Sequence, residues 1–179
     1  LPKKELLNRG WIKSEDDIDS MMPLLSDIYA GRDNILFRKA NTANDFLCSV
    51  WLAKVSVNAK ISIATKKIPK YSSIDKSYLS EFAKYSVDES IISKIPQILE
   101  EKGIIVVYER ALPGMKLDGV VFRAESGHPV IGLSFRFPRL DYFWFTLLHE
   151  LSHVVLHLDQ LDQPILDNTE DGDNEELIE

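Results

Sequence analysis

Between Trp144 and His157 the chain reads WFTLLHELSHVVLH, with His149 and His153 four residues apart and Glu150 directly after the first of them. Phe143, Leu147, Leu151, Val154 and Leu158 recur at the spacing of one helical face, and Trp144, Leu148 and Val155 widen it, so this helix is core on most sides. Residues four apart on an α-helix differ by about 40° in direction and about 6 Å along the axis, which puts both imidazoles on one face. Two such nitrogens can hold one Zn2+ at about 2.0–2.1 Å each. Glu150 is badly placed to be a further ligand from there, but it can accept a proton from a water that the metal acidifies. Three ionisable residues on a buried helix are costly unless something pairs them, and a metal removes that cost. The plainer alternative, a structural histidine pair, leaves the cost in place.

A third ligand has to come from outside this helix. His157 continues the four-residue series, but its Cα lies about 12 Å along the axis from that of His149, too far for both to reach one ion. The extended metzincin pattern is absent too, because Leu156 replaces its glycine and Asp159 stands where its third histidine would be. Glu175, Glu176 and Glu179 are candidates, since a carboxylate on a following helix commonly completes a two-histidine zinc site. For Glu175 and Glu176 a solvated acidic surface is the better explanation.

Composition narrows the classes of function. Of 179 residues 45% are hydrophobic and 27% charged, a soluble globular balance, and no uninterrupted apolar run approaches the roughly 20 residues of a membrane helix. No membrane partner is expected. Cys48 is the only cysteine, so no disulfide framework or cysteine zinc cluster is available, and a cytoplasmic location is expected. The net charge of −7 is uneven: all 21 lysines and arginines precede residue 140, whereas 11 of the 28 acids follow it. That acidic end repels nucleic acid, and direct nucleic-acid binding by this chain is not expected. The chain opens at Leu1 and stops at Glu179 inside what reads as a starting helix, so the expectation is a piece of something longer.

Periodicity supplies the remaining elements. SEDDIDSMMPLLSDIYA reads as a helix capped by Ser14 and bent at Pro23, and NTANDFLCSVWLAKVSVNAKIS as a long helix with one apolar face, capped by Asn41 or Thr42. TKKIPKYSS reads as a linker, placing a boundary near residue 70 between a helical connector region, 1–70, and a second domain, 71–179. Asp75 and Asp88 are caps for two further helices, the second ended by Gly103. IIVVYER, GVVFRA and PVIGLSFRF are strand patterns, the last two forming a hairpin around ESGH. Asp141 is the expected cap of the histidine helix, and from Asp159 onward the chain is acidic and irregular until NEELIE.

From the helix pair through KLDGVVF, PVIGLSFRF and DYFWFTLLHELSHVVLHL to the acidic tail, about residues 73 to 179, the chain resembles the ImmA/IrrE metallo-endopeptidases. The resemblance implies an α+β, zincin-like metallopeptidase domain: a small antiparallel sheet packed on the active-site helix, preceded by a helical connector and truncated at its C-terminus. It implies His149 and His153 as zinc ligands and Glu150 as the catalytic acid/base. The family's next helix runs E-x-E-A-[ND]-x-F-A; Glu179 best matches its first glutamate and is the third ligand the resemblance implies. Ser152 stands where family members often have Gly. Residues 1 to 66, with LLNRGWI and FRKANTANDFLCSVWLAKV, look like the connector of relatives that carry an N-terminal helix-turn-helix domain, through which DNA would be bound.

Two functions follow as expectations. One is a zinc-dependent endopeptidase hydrolysing a peptide bond in a regulatory protein such as a DNA-binding repressor. The other is a non-catalytic zinc- or peptide-sensing module of a helix-turn-helix transcriptional regulator. The intact Glu150 favours the enzyme. The strand VIGLSF is the expected partner of an extended substrate, with Gly132 permitting close approach; a plain core strand is the alternative. Tyr142, Arg123 and His128 are all open as oxyanion stabilisers.

Overall fold

A computed structural model describes residues 2–14 and 42–167. In chain order these form α1 (Lys3–Asn8), α2 (Ala43–Thr65), α3 (Lys76–Ala83), two short 3-10 segments, α4 (Ile95–Glu100), β1 (Ile105–Tyr108), β2 (Gly119–Arg123), β3 (Pro129–Leu133), α5 (Leu140–Leu156) and β4 (Ile165–Asp167). The fold is α+β. The helices expected over residues 15–30 and from NEELIE onward lie outside the described residues.

α2 starts where a capping box forms. The Thr42 hydroxyl accepts from the Asp45 backbone N–H at 3.2 Å, and the Asp45 carboxylate accepts from that of Thr42 at 3.0 Å. The expected single apolar face is not what forms, because Cys48 through Ala53 are all buried, with Val55, Ser56 and Ala59 beyond them. By length and composition alone α2 could span a membrane. Its apolar surface is instead packed with α1 on the sheet, and the Trp51 indole N–H donates to the Glu109 carbonyl at 2.9 Å.

The sheet order is β1-β3-β2-β4. β2 and β3 form the expected antiparallel hairpin, from Gly119 opposite Leu133 at one end to Arg123 opposite Pro129 at the turn. β1 runs parallel to β3, so the sheet is mixed rather than antiparallel throughout. β3 takes the place beside β1 and points the same way. Alternation then divides the strands between two cores. Ile105, Val107, Val120, Phe122 and Val130 face α2, while Val106, Val121, Ile131 and Leu133 face α3, α4 and α5.

This arrangement corrects the substrate role of VIGLSF. β3 is an interior strand bonded along both edges, so it has no free edge for a peptide. Gly132 serves packing: a Cβ there would lie 2.8 Å from Val120, 2.9 Å from Val55 and 3.1 Å from Trp51. The α5 cap differs too. Arg139 is the N-cap residue, without a side-chain cap bond, and Asp141 sits in the first turn with its carboxylate accepting from Arg139 at 3.1 Å. Asp75 caps α3 as expected, whereas Asp88 caps only the second 3-10 segment, Glu89–Lys94; the helix expected to run on from it becomes α-helical at Ile95, with Pro96 in its first turn, and Gly103 follows its end at φ +75°.

Candidate metal centre

α5 crosses the face of the sheet formed by Val121, Ile131 and Leu133, burying Phe143, Trp144, Leu147, Leu151 and Val154. That seating turns His149 and His153 toward the end of β2 where Gly119 begins the strand. β4 zips onto the outer side of β2 with Asp167 opposite Gly119. A helix and an edge strand thereby converge on one point.

Three donor atoms meet there. The His149 and His153 Nε2 atoms are 3.2 Å apart, and Asp167 Oδ2 lies 3.4 Å from the first and 3.2 Å from the second. A tetrahedral ion with ligands at about 2.0–2.1 Å needs ligand atoms about 3.3–3.4 Å apart along each edge. The observed triangle has that size. Burial pushes the Asp167 carboxyl up, but the two imidazole nitrogens facing it outweigh that and hold it well below the usual carboxylate range. His153 Nδ1, which is buried, has no hydrogen-bond partner.

Glu150 lies beside this triangle, 0% exposed, with neither carboxylate oxygen hydrogen-bonded. Burial first, and then the nearby carboxylates of Asp167 and Asp118, push its pKa well above the ordinary value. Its side chain occupies the space of a missing one. A Cβ on Gly119 would stand 2.0 Å from Glu150 Oε1 and 2.7 Å from its Cδ. An unpartnered buried carboxyl beside two facing imidazole nitrogens and a further carboxylate is a strongly unfavourable set on its own. A divalent cation among the three donors relieves it, so the residues present fit a metal.

Of the residues singled out in the sequence, the structure brings His149, His153 and Glu150 together. Glu175, Glu176 and Glu179 lie outside the described residues. His157 is the C-cap of α5, with its ring 5.4 Å from that of His153, and is not one of the three donors. Ser152 folds its hydroxyl back onto the His149 carbonyl, donating to it at 2.6 Å. Arg123 and His128 belong to the far, hairpin end of the sheet. Arg123 is bonded to the Leu158 carbonyl, and the His128 ring nitrogens to Ser126 and Pro69. Tyr142 alone of the three stands at the site end, donating to Asp118 Oδ2 at 2.7 Å.

Sequence reasoning missed Asp167 and Gly119. Within the acidic stretch that begins at Asp159, the described residues include β4, whose local signal is the pair Ile165–Leu166 between Pro164 and Asp167. Compared with known proteins, residues 100–178 match the model of the family Peptidase M78, described as an IrrE N-terminal-like domain. No curated protein and no solved structure matched the chain.

Proposed function

From an IrrE N-terminal-like domain of a metallopeptidase family at residues 100–178, we propose that this chain is a zinc-dependent endopeptidase acting on a regulatory protein such as a DNA-binding repressor. The observation that carries the reading is Glu150: a fully buried carboxylate, free of hydrogen bonds, set against two imidazoles and a carboxylate at tetrahedral spacing. His149, His153 and Asp167 would hold the ion. Glu179 is proposed as the carboxylate that joins or replaces Asp167. When bound there, a zinc ion would supply a Lewis acid for a peptide carbonyl and lower the pKa of a water molecule beside Glu150. Glu150 is the base: its raised proton affinity suits it to take a proton from the attacking water and return it to the departing amine. The two histidines hold their geometry through the rigid, buried helix that carries them.

The proposed setting is the cytoplasm. Cys48, the single cysteine, is free and buried, and burial pushes its thiol up to about 11, which keeps it inert. Recruitment to DNA is proposed to pass through a helix-turn-helix domain joined to the connector rather than through this chain.

Glu150→Gln tests the enzyme. Metal content measured by elemental analysis should stay at that of the parent protein, while cleavage of the regulatory protein falls by about 10²–10⁴-fold, the share of a general base. Regulation that persists undiminished in that variant would instead support a non-catalytic sensing module.

A further inference from the structure

The two outer strands of the sheet, β1 and β4, differ in how far their free edges are closed. Ile105, Val106 and Val107 of β1 are buried, and the Tyr108 hydroxyl at its end donates to the Ile92 carbonyl at 2.9 Å, so that edge is covered. All three residues of β4 are only half-buried. Main-chain alternation shows what β4 exposes. The Ser134 N–H donates to the Asp118 carbonyl at 3.0 Å and the Ala124 N–H to the His128 carbonyl at 2.9 Å, so the even-numbered residues of β2 bond to β3. Gly119 and Val121 therefore turn to β4, where they meet Asp167 and Ile165. Leu166, opposite Val120, is left with its N–H and C=O directed away from the sheet.

That outward main-chain pair lies next to the donor triangle. The Leu166 and Ile165 side chains pack into the cores on opposite faces of the sheet, and Asp167, two residues from Ile165, turns to the α5 face with it. A further strand laid on β4 would run about 4.8 Å from it, with alternate residues on the same face as Asp167. The triangle can be reached from there, since the His149 and Asp167 side chains are 25% and 18% exposed. Charge narrows the occupant. β4 lies in a part of the chain where 11 acids and no lysine or arginine follow Leu140. Such a surface attracts a basic segment and repels an acidic one. Pairing through the main chain tolerates many side chains, and basic segments are what a DNA-binding protein offers.

We propose that the open edge of β4 pairs with an extended, basic segment of the substrate protein, which adds to the sheet as a further strand and is laid past the donor triangle. The proposal rests on the peptidase reading above, and its test reads binding, so that the two can fail separately. The chain carrying Glu150→Gln is titrated with acetyl-Lys-Val-Thr-Val-Lys-amide, with the same peptide N-methylated at all five residues, and with acetyl-Glu-Val-Thr-Val-Glu-amide, and followed by NMR. The lysine peptide should bind with cross-strand contacts from its backbone to the Leu166 amide. It should bind about tenfold tighter than the methylated peptide, which cannot donate main-chain bonds, and about fivefold tighter than the glutamate peptide at low salt. Adding Leu166→Pro removes the outward N–H, a change an edge strand accepts; affinity for the lysine peptide should fall about fivefold while the bonds of Ile165 and Asp167 to β2 persist in the spectrum. No binding, equal affinity for the methylated or the glutamate peptide, contacts centred elsewhere, or affinity unchanged by Leu166→Pro overturns the proposal. So do contacts from the Leu166 amide to residues 168–179 or to a second copy of the chain before any peptide is added. Cleavage of a protein substrate that Leu166→Pro leaves unaltered removes the pairing edge and keeps the peptidase. Pairing at Leu166 with no cleavage by the parent chain does the reverse.

Discussion

At Gly132, on the face of the sheet covered by α2, the space of an absent Cβ is filled by Trp51 and Val55; at Gly119, on the face covered by α5, it is filled by the carboxylate of Glu150. The first is ordinary close packing, in which apolar groups lose water and gain contacts. The second seats a charge-bearing group in a dry place without a hydrogen bond. Both faces are built from the same alternating strands and have a buried helix laid across them. Their difference shows how one sheet can hold stability on one side and an unfavourable, chemically poised constellation on the other. Here the unpartnered buried atoms of Glu150, His153 and Asp167 cluster at one point and mark that constellation.

Substitutions on the two faces should therefore separate into stability effects and rate effects. Trp51→Ala strikes the α2 face hardest: it removes a fully buried indole and its bond to the Glu109 carbonyl, at a cost of about 3–5 kcal/mol in urea unfolding. Metal content per folded molecule should not change, and a loss of metal at preserved fold would break the division. Gly119→Ala is the matching change on the α5 face. The new Cβ meets the far end of a flexible side chain, so the carboxylate moves and the backbone need not. Stability should fall by only about 1 kcal/mol, the low end for overpacking, while cleavage falls by about 10²-fold, the effect of misplacing a reacting group by about 1 Å. Equal loss in both measurements would reduce Gly119 to a packing residue. Thr42→Ala is the smallest change. Removing the α2 cap should cost about 1 kcal/mol in thermal unfolding, with turnover unaltered.

Local periodicity made half of this centre legible. His149, Glu150 and His153 fall on one helix, so their spacing alone brings them near one another, and the capping box at Thr42 and the β2–β3 hairpin are equally short-range. What escaped depends on distant pairing. Asp167 reaches the imidazoles because three residues of β4 register against β2, more than forty positions earlier in the chain. Nothing beside Gly119 in the sequence announces that its missing side chain makes room for Glu150, 31 residues on. The glycine of β3 read as an invitation to substrate because local pattern cannot show that β1 would insert itself alongside. α2 looked one-sided because its two smaller neighbours in the core, α1 and the segment after β1, are invisible to periodicity.

The donors of this centre do not stand on equally firm ground. His149 and His153 are fixed to a helix buried through most of its length, whereas Asp167 ends an edge strand held by three register positions. Short edges open locally far more often than cores do. Each time β4 frays, the carboxylate leaves with it and the two imidazoles remain. An ion held by all three donors would lose one of them whenever that edge opens, so its exchange should keep pace with hydrogen exchange at the amides of Ile165 to Asp167.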